Sequence, residues 1–235
     1  MFAAVLQARM TCTRMPGKVM APLAGEPMIW RQIERLRRCR GLSRIIVATS
    51  TETSDDALAG YLVSRGVSVF RGSPNDLLDR FARCAAALGS ATHIVRVKGD
   101  CPLIEPTLID EAVRLAQVSG ATYVSKRNPQ RHPRGLEVEV ITTSALIKAA
   151  ALPRDVTAPL SPTAYIRTHP KQFPAVRMAS PSRDLSGWDW RVKTPADLAF
   201  IKGVYDALHD ADPDFGMGEV LDLIARRNDL ARVAA

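Results

Sequence analysis

Three cations fall within ten residues near the amino terminus, together with two hydroxyl groups and a Pro-Gly turn. Residues 9–18 read Arg-Met-Thr-Cys-Thr-Arg-Met-Pro-Gly-Lys, so Arg9, Arg14 and Lys18 share one segment. Arginine binds phosphate oxygens through paired N–H groups, and lysine supplies a mobile point charge. The segment lacks the glycine spacing of a Walker loop or a dinucleotide site. Its spacing fits a triphosphate cradle and a solvated basic loop equally well.

A carboxylate is the second chemical candidate, in the segment Lys-Gly-Asp-Cys-Pro at residues 98–102. Asp100 directly follows a glycine at the end of a strand-like run, and Pro102 is expected to open a helix. Magnesium ions in proteins favour one or two carboxylates completed by phosphate oxygens. Asp100 is therefore a candidate Mg²⁺ ligand, and support of the turn is the alternative.

An alternation of strands and helices is needed to position these groups, and the first half of the chain provides it. Apolar residues at helical spacing, such as Ile29, Ile33 and Leu36, separate short apolar runs. The order indicates a mainly parallel sheet covered by helices, and such sheets bind ligands beyond the carboxyl ends of their strands. The runs predict strands at residues 2–8, 44–49, 67–70, 92–97 and 121–125.

The second half is expected to extend the same sheet within a single domain. A loop at residues 126–134 leads into an alternating apolar and acidic run at residues 135–142, which predicts a half-exposed strand. Ser73 and Thr194 each precede a proline and have an acidic residue three positions further on, as helix N-caps do. A helix over residues 195–209 is predicted after Thr194.

The charge balance points to an anionic partner. The 235 residues include 32 Lys and Arg against 24 Asp and Glu, a net charge of +8. Basic residues cluster at residues 31–40 and again at Lys126, Arg127, Arg131 and Arg134. Neither cluster contains an aromatic residue, which argues against a nucleic-acid partner. Arg31, Arg35 and Arg38 are expected on a solvated helix face. No apolar run approaches the roughly 20 residues that span a bilayer, and four separated cysteines suit a reducing compartment, so a cytoplasmic protein without membrane insertion is expected.

Several segments in collinear order resemble the cytidylyltransferase family, nearest to the branch of spore coat polysaccharide biosynthesis protein F. That branch is akin to the synthetases of CMP-activated 3-deoxy-manno-octulosonate and neuraminate. The resemblance implies a nucleotide-diphospho-sugar-transferase fold, similar to glycosyltransferase A, that binds CTP. It implies attack of an acidic sugar's anomeric hydroxyl on the α-phosphate with release of pyrophosphate, for surface polysaccharide or glycan biosynthesis. The matching segments are residues 9–18, 22–27, 47–50, 70–73, 97–104, 133–140 and 190–198.

Site residues follow from their positions in these motifs. The resemblance implies catalytic roles for Arg14, Lys18 and Asp100, with Asp100 holding Mg²⁺. It implies a nucleotide-binding half at about residues 1–125, and a sugar-binding half at about residues 126–235 through which a homodimer forms. His132 also lies in the presumed sugar loop. The implied nucleotide-binding residues are Arg9, Thr11, Arg14, Lys18, Arg71, Ser73, Asp79 and Lys98, and the implied sugar-binding residues are Arg134, Glu137 and Glu139.

One residue breaks the family pattern. Lys193 stands where family members of this kind usually have an aspartate that serves as second metal ligand. The change removes a ligand and shifts the local charge by two units. Three interpretations follow: the ammonium replaces a metal ion by pairing with nucleotide phosphates, the substrates have changed, or catalysis has been lost in a nucleotide-binding pseudoenzyme. A glycosyltransferase on the same fold is a further alternative. We favour the first, because Lys193 enters a site already rich in phosphate-binding cations.

Overall fold

A seven-stranded sheet forms the centre of the protein in the computed structural model, which describes residues 1–126, 131–152, 161–227 and 230. A short hairpin of two strands lies apart from it. In chain order the strands are β1 (Phe2–Gln7), β2 (Pro22–Leu23), β3 (Glu26–Pro27), β4 (Arg44–Ser50), β5 (Ser68–Gly72), β6 (His93–Lys98), β7 (Tyr123–Ser125), β8 (Glu139–Thr142) and β9 (Ala175–Arg177).

The order of strands across the sheet is β5-β4-β1-β6-β8-β7-β9, and the hairpin is β2-β3. Strands β5, β4, β1 and β6 are mutually parallel, as predicted for the first half. Strand β8 runs antiparallel between β6 and β7, and β9 is parallel to β7. The carboxyl ends of β1, β6 and β7 therefore meet at one edge, together with the amino end of β8. The predicted mixed α/β sheet is confirmed.

Helices cover both faces of this sheet. Along β1, Ala4 and Leu6 face one apolar cluster while Ala3 and Val5 face the other, because successive side chains of a strand point to opposite faces. The first cluster receives α1, α2, α4, α7 and α8, and the second receives α3, α5 and α6. The helices are α1 (Met28–Arg37), α2 (Asp56–Ser64), α3 (Leu77–Ala87), α4 (Pro106–Ser119), α5 (Thr143–Ala151), α6 (Ala164–Thr168), α7 (Pro195–Leu208) and α8 (Met217–Arg226).

Helix starts were predicted with mixed success. Thr194 caps α7, and its side chain and that of Asp197 form a reciprocal capping box, as the sequence indicated. Ser73 is not the cap of α3, which begins at Leu77 and has Asp76 as its N-cap. Arg80 donates hydrogen bonds to the carbonyls of Ser73 and Pro74, and so holds that segment in a turn. Pro102 likewise opens no helix: it lies in a turn with Leu103, and α4 begins at Pro106.

The expected solvated arginine face of α1 is wrong for Arg35, which is 3% exposed. The segment that joins α7 to α8 covers this part of α1. The Arg35 Nε atom donates to the Ile104 carbonyl at 2.7 Å, and its guanidinium lies 4.8 Å from the centre of the Phe215 ring. Arg35 therefore fixes α1 to its neighbours.

The alternating run at residues 135–142 forms a strand only at β8, and Glu139 is buried rather than half-exposed. Its carboxylate pairs with Arg96 and accepts hydrogen bonds from the hydroxyls of Tyr123 and Thr163. Burial alone would raise the pKa of Glu139, but Arg96 and the hydroxyl donors hold this pKa below its usual range. The insertion of β8 between two strands explains the burial.

We expect Glu139→Gln to lower the free energy of unfolding by about 3–5 kcal/mol, because Arg96 would remain buried without a charged partner. Urea unfolding at pH 7 measures this. The matched control is Glu52→Gln, since Glu52 is exposed. A loss below about 1 kcal/mol for Glu139→Gln would show that the ion pair does not stabilise the sheet.

Candidate active site

A cleft of about 870 Å³ opens at the edge where β1 and β6 end. Two segments line most of it: the loop that follows β1 and the turn that follows β6. Six predicted site residues line this cleft: Arg9, Thr11, Arg14, Lys18, Lys98 and Asp100. The other lining residues are Gln7, Ala8, Met10, Cys12, Thr13, Pro16, Gly17, Val19, Ser54 and Gly99.

Backbone geometry closes the loop after β1. Gly17 adopts a left-handed conformation with φ of 72°, and its N–H donates to the Met10 carbonyl at 2.8 Å. The N–H groups of Arg14 and Met15 point at the Cys12 thiol inside this loop. Burial raises the pKa of Cys12, but these N–H groups and the nearby cations Lys18 and Arg14 lower it overall. The loop interior therefore favours negative charge.

Asp55 anchors this loop, although the sequence analysis missed it. The side chain is fully buried at the start of α2. Its carboxylate accepts hydrogen bonds from the Met10 N–H at 2.6 Å and from the Ser50 N–H at 3.0 Å. Burial alone would raise the pKa of Asp55, but these donors lower it below its usual range. An acidic residue at the start of a helix predicts a local cap. The long-range contact between Asp55 and the Met10 N–H therefore had no signal in the sequence.

Lys18 lies at the junction of three segments. Its Nζ atom donates to the Val192 carbonyl at 2.8 Å and lies 3.5 Å from an Asp100 carboxylate oxygen. The Val192 N–H in turn donates to the Asp100 carbonyl at 2.8 Å. These contacts bring together the loop after β1, the turn after β6 and the segment before α7. Two catalytic candidates, Lys18 and Asp100, are thus in direct contact.

Gly99 is required by the close approach of β6 to β1. Its N–H donates to the Gln7 carbonyl at 2.7 Å, and a Cβ at this position would lie 2.7 Å from the same oxygen. No side chain fits there without moving the backbone. The glycine in the Lys-Gly-Asp segment therefore sets the position of Asp100 against β1.

Exposure differs among the cations of the cleft. The side chains of Arg9, Thr11 and Arg14 are exposed, Lys98 is half-buried, and Lys18 is buried. Exposed guanidinium groups are free to follow a ligand, whereas Lys18 is held by its contacts. The cleft thus combines the fixed Lys18 with the half-buried Lys98 and with two movable arginines.

The predicted base- and ribose-binding residues occupy the ends of neighbouring elements. Arg71, near the end of β5, pairs with Asp56 at 2.6 Å and donates to the Ser50 and Glu52 carbonyls. The Ser73 hydroxyl accepts from backbone N–H groups of its own turn, and Asp79 lies in the first turn of α3. The described residues that line the cleft do not include Arg71, Ser73 or Asp79.

The predicted sugar-binding residues lie on the other side of β6. Arg134 is exposed, and its backbone forms a bridge to Asp189 with hydrogen bonds to Trp188 and Trp190. The half-buried Glu137 accepts from the Gly135 N–H at 2.9 Å. Glu139 is committed to the buried network described above. The exposed guanidinium of Arg134 is thus free of the sheet, whereas Glu139 supports it.

Lys193 belongs to a group of three charged side chains. Its Nζ atom lies 2.7 Å from an Asp189 carboxylate oxygen, and Arg191 donates two further hydrogen bonds to the same carboxylate at 2.8 and 2.6 Å. Burial alone would raise the pKa of Asp189, but the bonds from Arg191 and Lys193 hold this pKa far below its usual range. One carboxylate faces two cations, so the group has a surplus positive charge.

A metal ion fits this site in one way only. Within the described part of the chain, no three His, Cys, Asp or Glu side chains gather into a metal-binding cluster. Among the described residues that line the cleft, Asp100 alone carries a carboxylate, and it is partly exposed. Magnesium bound by one carboxylate relies on substrate phosphates and water for its remaining ligands. Asp100 suits such a metal–nucleotide complex better than a metal ion alone.

Comparison with known proteins identifies the family. A model of the cytidylyltransferase family matches residues 3–187. The chain is a member of the cytidylyltransferase family. It is 30% identical to the spore coat polysaccharide biosynthesis protein SpsF of Bacillus subtilis, over 97% of this chain and 95% of that protein. The family uses CTP for sugar nucleotidyl transfer, so this chain is a CTP-dependent nucleotidyltransferase.

Two further cytidylyltransferases support the assignment. A 3-deoxy-manno-octulosonate cytidylyltransferase of Geobacter sulfurreducens is 40% identical over 47% of this chain and 43% of that protein. The structure of a cytidylyltransferase from Leptospira borgpetersenii has a TM-score of 0.90 at 26% identity, over 97% of this chain and 95% of that one. Among the described residues, the structure has no helix of the length and apolar character required to cross a bilayer.

We expect Asp55→Asn to lower the free energy of unfolding by about 2 kcal/mol at pH 7, because an amide replaces a carboxylate that accepts several hydrogen bonds. The folded pKa of Asp55 is below its unfolded value. Its stabilisation is therefore full above pH of about 4 and is lost as the pH falls through the folded pKa.

Urea unfolding of this variant and the wild type between pH 7 and pH 2.5 measures the difference. The two curves should converge at the acid end. Asp210→Asn serves as control, because its side chain is exposed. A constant difference across the whole range would contradict a role for the Asp55 charge.

Proposed function

We propose that this cytidylyltransferase transfers CMP from CTP to the anomeric hydroxyl of an acidic sugar, with release of pyrophosphate. The observation that carries the proposal is the contact of Lys18 with Asp100 in a cleft lined by two exposed arginines. Such a transfer requires in-line placement of the reactants and neutralisation of charge on the transferred and leaving oxygens. The product would serve the synthesis of a surface polysaccharide or glycan.

The exposed and the buried cations of the cleft would bind different phosphates of CTP. Arg14 and Arg9 are exposed and would close on the outer phosphates, where charge grows as pyrophosphate leaves. Lys18 is fixed at the junction and would face the phosphate nearest Asp100. Thr11 and Lys98 line the same cleft and would donate to phosphate oxygens. Asp100 would hold Mg²⁺, which when bound neutralises phosphate charge.

Acceptor and assembly complete the proposal. Arg134 and Glu137 lie beyond β6 and would face the sugar, where the exposed guanidinium suits an acid. Arg71, Ser73 and Asp79 would reach the base and ribose only if the nucleotide extends past the end of β4. We further propose that the protein forms a homodimer through residues of its second half. The similarity to a 3-deoxy-manno-octulosonate cytidylyltransferase supports an acidic acceptor.

Pyrophosphate release from CTP, over a panel of octulosonic and nonulosonic acids, tests the proposal. We expect turnover with at least one acid. Lys18→Met should reduce kcat at least about 100-fold, because a fixed donor to developing charge is removed. Lys202→Met is the matched control, since Lys202 lies on α7 outside the cleft. Tight CTP binding without turnover on any acid would indicate a nucleotide-binding pseudoenzyme instead.

Lys193 would substitute for the missing carboxylate and its metal ion by pairing with a nucleotide phosphate. The surplus charge of its group supports this proposal. Arg191 already binds both oxygens of Asp189, so Lys193 can exchange that carboxylate for a phosphate without leaving a buried charge unpaired. The Lys193 side chain is 25% exposed, which leaves room for the movement.

We expect Lys193→Ala to weaken CTP binding about tenfold in Mg²⁺-free buffer, which corresponds to the loss of one charge-assisted hydrogen bond. Isothermal titration with EDTA present measures this, and Lys202→Ala is the control. Added Mg²⁺ should reduce the difference between the variant and the wild type. An unchanged CTP affinity of Lys193→Ala in the Mg²⁺-free buffer would refute the substitution.

A further inference from the structure

Lys126 carries a buried amine that has no hydrogen-bond partner among the described residues. The residue directly follows β7 and is 8% exposed, and its Nζ atom has no hydrogen-bond partner in the part of the chain that the structure describes. A buried ammonium without hydrogen bonds is strongly unfavourable. Arg35 also has an unpaired nitrogen, but its guanidinium is held through Nε. Within the described ranges, no hydrogen bond holds the amine of Lys126 in this way.

The backbone fixes this position firmly. Ser125, the last residue of β7, pairs in register with Glu139 of β8 and with Arg177 of β9. Its carbonyl accepts from the Met178 N–H at 2.9 Å, and its hydroxyl accepts from Arg177. These contacts fix the backbone at the point where the Lys126 side chain begins, and that side chain is buried.

Sheet topology puts Lys126 on the acceptor side of the site. Strand β7 is parallel to β6, so Lys126 stands at the same sheet edge as Asp100, with only β8 between them. The loop that carries Arg9, Arg14 and Lys18 follows β1, which lies on the other side of β6 from β8. Glu137, at the start of the segment that enters β8, reaches the same edge. A ligand attached through an α-phosphate near Asp100 would extend towards Lys126.

The surroundings select the charge of the ligand. Burial lowers the pKa of Lys126 to about 7, while Glu137, Cys101, Glu111 and Glu105 act in the opposite direction. Burial, together with the nearby charge of Lys126, lowers the pKa of His132 to about 4, so this imidazole is neutral at pH 7. Three carboxylates near one amine repel a phosphate dianion more strongly than a single carboxylate. The site therefore suits a monoanion.

From these observations we infer that Lys126 forms the subsite for the carboxylate of the acceptor sugar, with its ammonium pairing to that group in the bound state. The inference rests on the proposed function for the identity of the acceptor. It assigns the selection of an acid to a residue in the segment that the sequence pattern predicts as a loop, at residues 126–134. The unfavourable amine of the free protein then becomes paired when the acceptor binds.

The experiment compares binding of 3-deoxy-manno-octulosonate with that of its carboxamide, by isothermal titration. CDP replaces CTP, so that no pyrophosphate can leave. We expect wild-type protein to prefer the acid about ten- to one-hundredfold, as a charge-assisted hydrogen bond provides. Lys126→Met should lose this preference and bind the carboxamide as the wild type does. The exposed Lys171→Met is the matched control and should keep the preference.

A second measurement excludes a purely structural role. Lys126→Met removes the unpaired amine and keeps the length of the side chain, so Tm of the free variant should equal or exceed that of the wild type. A decrease of more than about 4 °C would show that the amine stabilises the fold and would overturn the inference. Retained acid preference in Lys126→Met, or absence of acid preference in the wild type, would overturn it as well.

Pyrophosphate release separates this inference from the proposed function. Turnover of the acid by a Lys126→Met variant with wild-type KM would leave the transferase assignment intact and contradict the carboxylate subsite. Acid-selective binding that depends on Lys126, without pyrophosphate release from CTP, would support the subsite and contradict the transferase. In active protein, Lys126→Met should raise KM for the acid and leave KM for CTP unchanged.

Discussion

The ammonium of Lys18 is the contact on which the site depends. It joins a loop near the amino terminus to the Val192 carbonyl, 174 residues further along the chain, and lies beside Asp100 between them. Three segments that are far apart in sequence are thereby held at one sheet edge. A lysine with this many contacts is no longer a mobile surface charge, because its position is fixed before any ligand binds. Such preorganisation is what electrostatic catalysis of phosphoryl transfer requires.

Fixed and movable cations then have complementary uses. Lys18 is buried, whereas Arg9 and Arg14 are exposed on a loop that Asp55 and Gly17 hold closed. In the proposed reaction, the fixed charge would set the position of the α-phosphate, and the movable charges would follow the leaving pyrophosphate. Not every cation behind the net charge of +8 is available to a ligand. Arg35, for example, is buried and links α1 to its neighbours.

Local sequence patterns predicted the features that depend on local forces. Continuous apolar runs identified the parallel strands, and Thr194 with Asp197 identified the start of α7, because a capping box is complete within four residues. Ser73 fulfilled the same local rule and still is not a cap, since Arg80 holds its carbonyl in a turn. The motifs at residues 9–18 and 98–102 were also sufficient to predict that Lys18 and Asp100 line one cleft.

Features that depend on strand order could not be predicted in this way. The alternation around Glu139 is that of a half-exposed strand, and only the insertion of β8 between β6 and β7 buries its carboxylate against Arg96. Lys126 has the sequence context of a solvated loop, and the same strand order buries its amine. These two residues differ in one respect that matters for the proposed function. The Glu139 carboxylate has its hydrogen-bond partners within the fold, whereas the Lys126 amine has no hydrogen-bond partner among the described residues. A ligand that pairs with this buried amine, at the sheet edge it shares with Asp100, would remove the free-energy cost of burying it without hydrogen bonds.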